Sequence, residues 1–191
     1  MTHASVIRQV LVVLALGPFL ASCERTNGWQ EEVRLDDGQV IVLARQVSYE
    51  KAGGEWGRDS AWRPSGEQLA FIDPLTGKQV TWAEPYRIAS VVDVIDGTVW
   101  IIARQQACRP EDRGKPLWQA FALSATGWSP VGPDGAPTVT KPNLALDSAN
   151  YSKTAHWQFV SIPQKQALDE ASRVDARMKR IQWRSELDCP L

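Results

Sequence analysis

The chain is punctuated by short turn signals set between runs of alternating apolar residues, and this pattern restricts it to antiparallel β structure. Trp29 to Leu35 and Gln39 to Val47 flank Asp36-Asp37-Gly38, while Ile88 to Ile95 and Thr98 to Arg104 flank Asp96-Gly97. Asp-Gly supplies the positive φ angles of a tight hairpin turn. Gln68 to Ile72 turns through Asp73-Pro74-Leu75-Thr76-Gly77 and returns as Lys78 to Trp82. Leu117 to Leu123 and Trp128 to Val131 flank Ala125-Thr126-Gly127, and Ala155 to Ser161 forms a late strand. The expectation is a mainly β fold, an antiparallel hairpin meander closing into a sandwich or a barrel. Val40-Ile41-Val42-Leu43 and Val99-Trp100-Ile101-Ile102 are apolar at every position, which predicts a covering layer on both faces.

The period changes near the C-terminus. Leu168, Ala171, Val174, Met178 and Ile181 recur at helical steps and form one face of an amphipathic helix. Ser161 and Gln164 have the spacing of a capping box, and Pro163 suits a first turn. The opposite face carries Lys165, Asp169, Glu170, Arg173, Asp175, Arg177 and Lys179, mixed in sign as on a solvated surface. Residues 180–186 are an alternative last strand. Long loops are expected from Lys51 to Gly66 and from Gly132 to Tyr151.

Ahead of the strands, the N-terminus has the three parts of a secretory signal. These are Arg8, the apolar run Val10 to Leu16 continued by Phe19-Leu20, and the small pair Ala21-Ser22. The apolar run is too short to span a bilayer. Leu20-Ala21-Ser22-Cys23 resembles the lipobox of bacterial lipoproteins. The resemblance covers about the first two dozen residues, and implies removal of residues 1–22 as a signal peptide and acylation of Cys23. Residues 23–28 would then be a lipidated tether and 29–191 a single β-rich domain facing the periplasm. Two anchors, diacylglyceryl and amide-linked acyl, hold a protein stably where one chain does not. Glu24 in place of the aspartate that retains enterobacterial lipoproteins at the inner membrane favours the outer membrane.

With Cys23 acylated, Cys108 and Cys189 form an even pair in an oxidising compartment, which predicts one disulfide. Closing a loop of that size would stabilise the fold by about 4 kcal/mol. The whole chain of 191 residues has a formal charge of -1, and Arg8 is the only charged residue of the leader, so the processed chain stands at -2. Such a balance favours neither nucleic acid nor an anionic surface.

Catalytic and metal signatures are missing from the sequence: there is no phosphate-cradling glycine loop, no G-x-S-x-G elbow and no zinc spacing. His156 is the sole histidine after processing and lies in the expected late strand. Of the acids Glu31, Glu32, Asp36, Asp37, Asp93 and Asp96, the turn aspartates are accounted for by their turns, and Glu31 and Glu32 by an exposed strand edge. The chain therefore reads as non-enzymatic, with no cofactor and no metal site.

Nine tryptophans are the unusual feature of the composition. Trp82, Trp100, Trp118 and Trp157 fall in expected strands, where core packing explains them. Trp56 and Trp62, with Arg58 and Arg63, sit in a glycine-rich segment. They form either a recognition loop or a flap folded over the core. The expected function is a protein-binding envelope lipoprotein of the immunity or inhibitor type. A lipocalin-like carrier and a cell-wall or glycan-associated module are the alternatives.

Overall fold

The computed structural model describes residues 24–51, 62–106, 112, 114–139, 141–145, 154–171 and 181. It is a sandwich of two sheets with one short C-terminal helix, which decides between the two expected architectures. Strands β1 (Glu24–Arg34), β2 (Val40–Lys51), β3 (Trp62–Ile72) and β4 (Gln79–Pro85) form an antiparallel meander. Strands β5 (Arg87–Ile95), β6 (Thr98–Gln105), β7 (Trp118–Ser124) and β8 (Gly127–Val131) form a second one. A two-residue strand β9 (Phe159–Val160) joins the first sheet parallel to β1, giving the order β4-β3-β2-β1-β9 against β5-β6-β7-β8. The helix α1 (Ile162–Ala171) follows β9 directly.

The turns account for the register. Asp96 and Gly97 have φ of 50° and 71°, the double positive φ of a two-residue hairpin turn. At the β1–β2 turn Gly38 has φ 86°, and the Asp37 carboxylate accepts the Gln39 amide at 2.8 Å. Asp73 organises the β3–β4 turn by accepting the Leu75 amide at 2.9 Å and the Thr76 hydroxyl at 2.6 Å. The chain changes sheets at Tyr86, which has φ 57°. Its amide donates to Ser65 O and its carbonyl accepts from the Gln106 amide, both at 2.8 Å, so both sheets hold the corner.

Between the sheets lie Val33, Leu43, Leu69, Phe71, Trp82, Val92, Ile101 and Phe121, all nearly or fully buried. Each large aliphatic side chain sealed in this way contributes about 2 kcal/mol. Trp82 and Phe121 meet edge to face at 5.4 Å across the interface. One end of the sandwich is filled by Trp29, Val47, Tyr49, Ile88 and Val160. A third cluster, Val91, Ile102, Trp118, Ala120 and Ile181, lies on the other face of the four-stranded sheet.

Four expectations need correction. First, β1 begins at Glu24 and not at Trp29, so residues 24–28 are already strand paired with β2. Second, β2 and β3 extend to Lys51 and from Trp62, which takes both ends of the expected loop into the sheet. Third, β2 is covered on one face only, leaving Val40 and Val42 exposed outward, whereas β6 is covered on both faces as expected. Fourth, the late strand shrinks to Phe159–Val160, because Ala155 and His156 form an exposed turn and Trp157 leaves the strand to stack edge-on against Trp29 at 5.1 Å. The capping box forms: the Ser161 amide donates to Gln164 Oε1 at 2.8 Å, and the Gln164 amide to Ser161 Oγ at 3.4 Å. Ile181 is buried outside any helix, and Val174 and Met178 lie outside the described residues.

Candidate functional site

Inward positions on three neighbouring strands carry ionisable side chains among apolar ones. Glu31 lies between Trp29 and Val33 on β1, Arg45 between Leu43 and Val47 on β2, and Glu67 two residues before Leu69 on β3. Strand register sets them diagonally to one another, since Trp29 pairs with Arg45, Glu31 with Leu43 and Glu67 with Val47. Arg45 donates from Nε to Glu67 Oε1 at 2.6 Å and from Nη1 to Glu31 Oε1 at 3.0 Å, and no side chain of the three touches solvent. Its guanidinium also lies 5.3 Å from the centre of the Trp29 ring.

The cluster reaches across the sandwich at the bulge of β5 beside Ser90, where the register shifts between Ala89 and Val91. Arg45 Nη2 donates to Ala89 O at 3.0 Å, and Glu67 Oε2 accepts the Ala89 amide at 2.5 Å. Glu31 Oε2 accepts the Ala145 amide at 3.3 Å. A fourth charge comes from α1: Lys165, 7% exposed, donates from Nζ to Asn143 O at 2.6 Å. Two carboxylates and two cations are thus enclosed together, linking both sheets, the 141–145 segment and the helix.

Burial shapes the protonation of this group. It pushes the Glu67 carboxyl up to about 7, against the opposing pull of Arg45 and the Ala89 amide. Burial lowers Lys165 from the ordinary lysine range, with Glu31 opposing. The guanidinium of Arg45 is held above its ordinary value: burial is the largest influence and lowers it, but Glu67 and Glu31 together outweigh it. A sealed cluster of this kind fixes the geometry of the strands that carry it.

This arrangement overturns two readings of the sequence. Glu31 is not on an exposed edge, since β9 and the 141–145 segment cover that side of β1. Glu32 accepts the Ile162 amide at 3.1 Å and so places a negative charge at the start of α1. Lys165 likewise leaves the solvated helix face assigned to it. Asp93 faces the β1–β2 turn, accepting the Asp36 amide at 3.0 Å and the Val94 amide at 2.8 Å. Among the described residues no group of three His, Cys, Asp or Glu stands together as a metal site.

The four residues assigned to a recognition loop are divided by the structure. Trp62 is the first residue of β3, half-buried against the cluster around Trp29 and Tyr49, with the Arg25 guanidinium 4.5 Å from its ring centre. Arg63 is exposed and pairs with Glu50 at 2.7 Å. Trp56 and Arg58 lie outside the described residues, as do Cys23, Cys108 and Cys189. Sequence inspection also missed a surface: Val40, Val42, Ile72 and Leu75 stand 36–51% exposed on the outer face and turn end of the five-stranded sheet. Leu43 pairs with Phe71, so Val42 and Ile72 are lateral neighbours.

No family model, curated protein or solved structure matches this chain.

Proposed function

We propose that this chain is a lipid-anchored lipoprotein of the bacterial cell envelope, acylated at Cys23 and sorted to the outer membrane. In this reading its sandwich binds a protein partner in the manner of an immunity protein or periplasmic inhibitor, without catalysing a reaction. The observation that carries it is the aliphatic strip of Val40, Val42, Ile72 and Leu75, rimmed by Glu32, Arg34, Lys78 and Gln79. Exposed aliphatic side chains beside charged and polar ones are the composition of a protein interface. The rigid sandwich beneath keeps the ordering cost of binding low.

The test uses detergent-solubilised envelopes passed over the wild-type lipoprotein and over Val42→Lys/Ile72→Lys, whose folding is checked by circular dichroism. A single partner retained in near-stoichiometric amount by the wild type alone is the expected result. A Trp56→Ala bait reports on the segment between β2 and β3. Trp62 is left intact because it packs on the core. Equal recovery by wild type and double variant would remove the strip from the interface. No stoichiometric protein on the wild type would overturn the binding reading.

A further inference from the structure

We propose that the end of the five-stranded sheet formed by the start of β1, the end of β2 and the start of β3 lies against lipid headgroups, so that the sandwich stands upright on the bilayer. This rests on the reading of Cys23 as the acylated residue. The observation behind it is the absence of a spacer: β1 starts at Glu24 and is paired from its first residue, Glu24 to Glu50 and Arg25 to Tyr49. Consecutive Cα atoms are about 3.8 Å apart. Acyl chains on Cys23 therefore draw the first rung of the sheet down to the headgroups.

Register decides which side chains come with it. Glu50 pairs with Arg63 and Lys51 with Trp62, so the β2 and β3 positions lie within about two strand spacings, roughly 10 Å, of Glu24. Arg25, Lys51 and Arg63 are exposed there, and Trp62 is half-buried beneath Arg25. Long cationic side chains and an amphipathic ring suit the boundary between headgroups and water. The carboxylates at this end are engaged locally, Glu50 by Arg63 and Glu24 by the Ser65 hydroxyl at 3.1 Å.

The opposite end has the opposite character. Asp36, Asp37, Asp73 and Asp93 gather around the β1–β2 and β3–β4 turns, with Arg34 and Lys78 as nearby cations. A strand of 11 residues is about 35 Å long, which holds those acids, and the aliphatic strip beside them, well clear of the surface. A partner in the periplasm then meets the membrane-distal end.

The experiment places the acylated protein in nanodiscs doped with a gadolinium-chelating lipid and compares backbone amide intensities with those in undoped discs. Amides of Arg25, Lys51, Trp62 and Arg63 are expected to lose most of their intensity, and those of Gly38, Leu75 and Gly77 to keep it. Intensities that fall uniformly, or not at all, on a protein whose Cys23 is shown by mass spectrometry to be acylated overturn the upright orientation alone. A Cys23 without acyl chains overturns the anchoring reading and this inference with it.

Discussion

Arg45 and Glu67 meet at 2.6 Å inside the sandwich, out of contact with solvent, while the second carboxylate oxygen of Glu67 accepts an amide from the opposite sheet. One side chain thus joins an ion pair to an inter-sheet hydrogen bond. Its protonation is tied to the alignment of the two layers.

Stability is expected to fall as pH rises toward neutrality. Burial raises the folded-state value of Glu67 from 4.5 to about 7. Between those values the folded protein binds more protons than the unfolded chain, so stability present below the lower value is lost as pH passes the higher one. Asp93 and Glu84, also raised by burial, act in the same sense. Unfolding free energies from urea titrations should be higher near pH ~5 than near pH ~7.5, by on the order of 2 kcal/mol from Glu67. Glu67→Gln should remove most of that slope. A midpoint that climbs over the same range in both proteins would refute the assignment.

Removing the shared cation should be costly. Arg45→Met leaves Glu31 and Glu67 buried without their common partner, which costs about 3–5 kcal/mol. Arg45→Met/Glu67→Gln should lose less than the two single changes added together, by about 1 kcal/mol or more, because the residues act as a unit. Strict additivity in denaturant titrations would show that they do not.

Much of the meander was legible because hairpins are local. Gly38 supplies a positive φ at the β1–β2 turn and the adjacent pair Asp96-Gly97 supplies two at the β5–β6 turn, and Ser161 finds Gln164 within one helical turn. The charge cluster depends on distant partners. Glu31 meets Arg45 across 14 residues and Ala145 across 114, so its neighbourhood exists only after the sheets pack. A clue was nonetheless present, since Glu31, Arg45 and Glu67 are each in phase with buried apolar neighbours. The exposure of Val42 was illegible for a related reason: a strand apolar on both faces has the same sequence pattern whether or not a second layer covers it.

The β5–β6 turn offers a local test. Gly97 has φ 71° and nothing within 4 Å of an added Cβ, so Gly97→Ala creates no clash and its cost is backbone strain. About 1 kcal/mol is expected. Gly97→Asn, which tolerates the left-handed region better, should recover part of it in thermal melts. Equal loss for both variants would point to a cause other than φ.

Cys108 and Cys189 make a covalent prediction. Ile181, eight residues before Cys189, packs with Ile102 on the outer face of the four-stranded sheet, and Cys108 follows the end of β6 by three residues. The processed protein should have an intact mass lower by two hydrogens before reduction than after it. Reduction, or Cys108→Ala/Cys189→Ala, should cost about 4 kcal/mol in the chain-entropy account. Free thiols titrating in the oxidised protein would rule the bond out.

Asn143 closes the side of the sandwich and gives the sharpest structural test. Its Oδ1 accepts the Val92 amide at 3.1 Å, and its Nδ2 donates to Val92 O at 2.8 Å and Arg34 O at 3.1 Å, bridging β5 to β1. Its carbonyl accepts from Lys165 at 2.6 Å and its amide donates to Ser90 O at 3.0 Å. Loss of the three side-chain bonds in Asn143→Ala should cost about 2–4 kcal/mol and speed hydrogen exchange at the Val92 and Leu144 amides. Asn143→Asp separates amide recognition from simple polarity. A carboxylate keeps the acceptor for Val92 but turns a second oxygen toward two carbonyls, so it should be no more stable than alanine at neutral pH. Wild-type stability in Asn143→Asp would mean that the bridge to Arg34 and Val92 does not hold the sheets together.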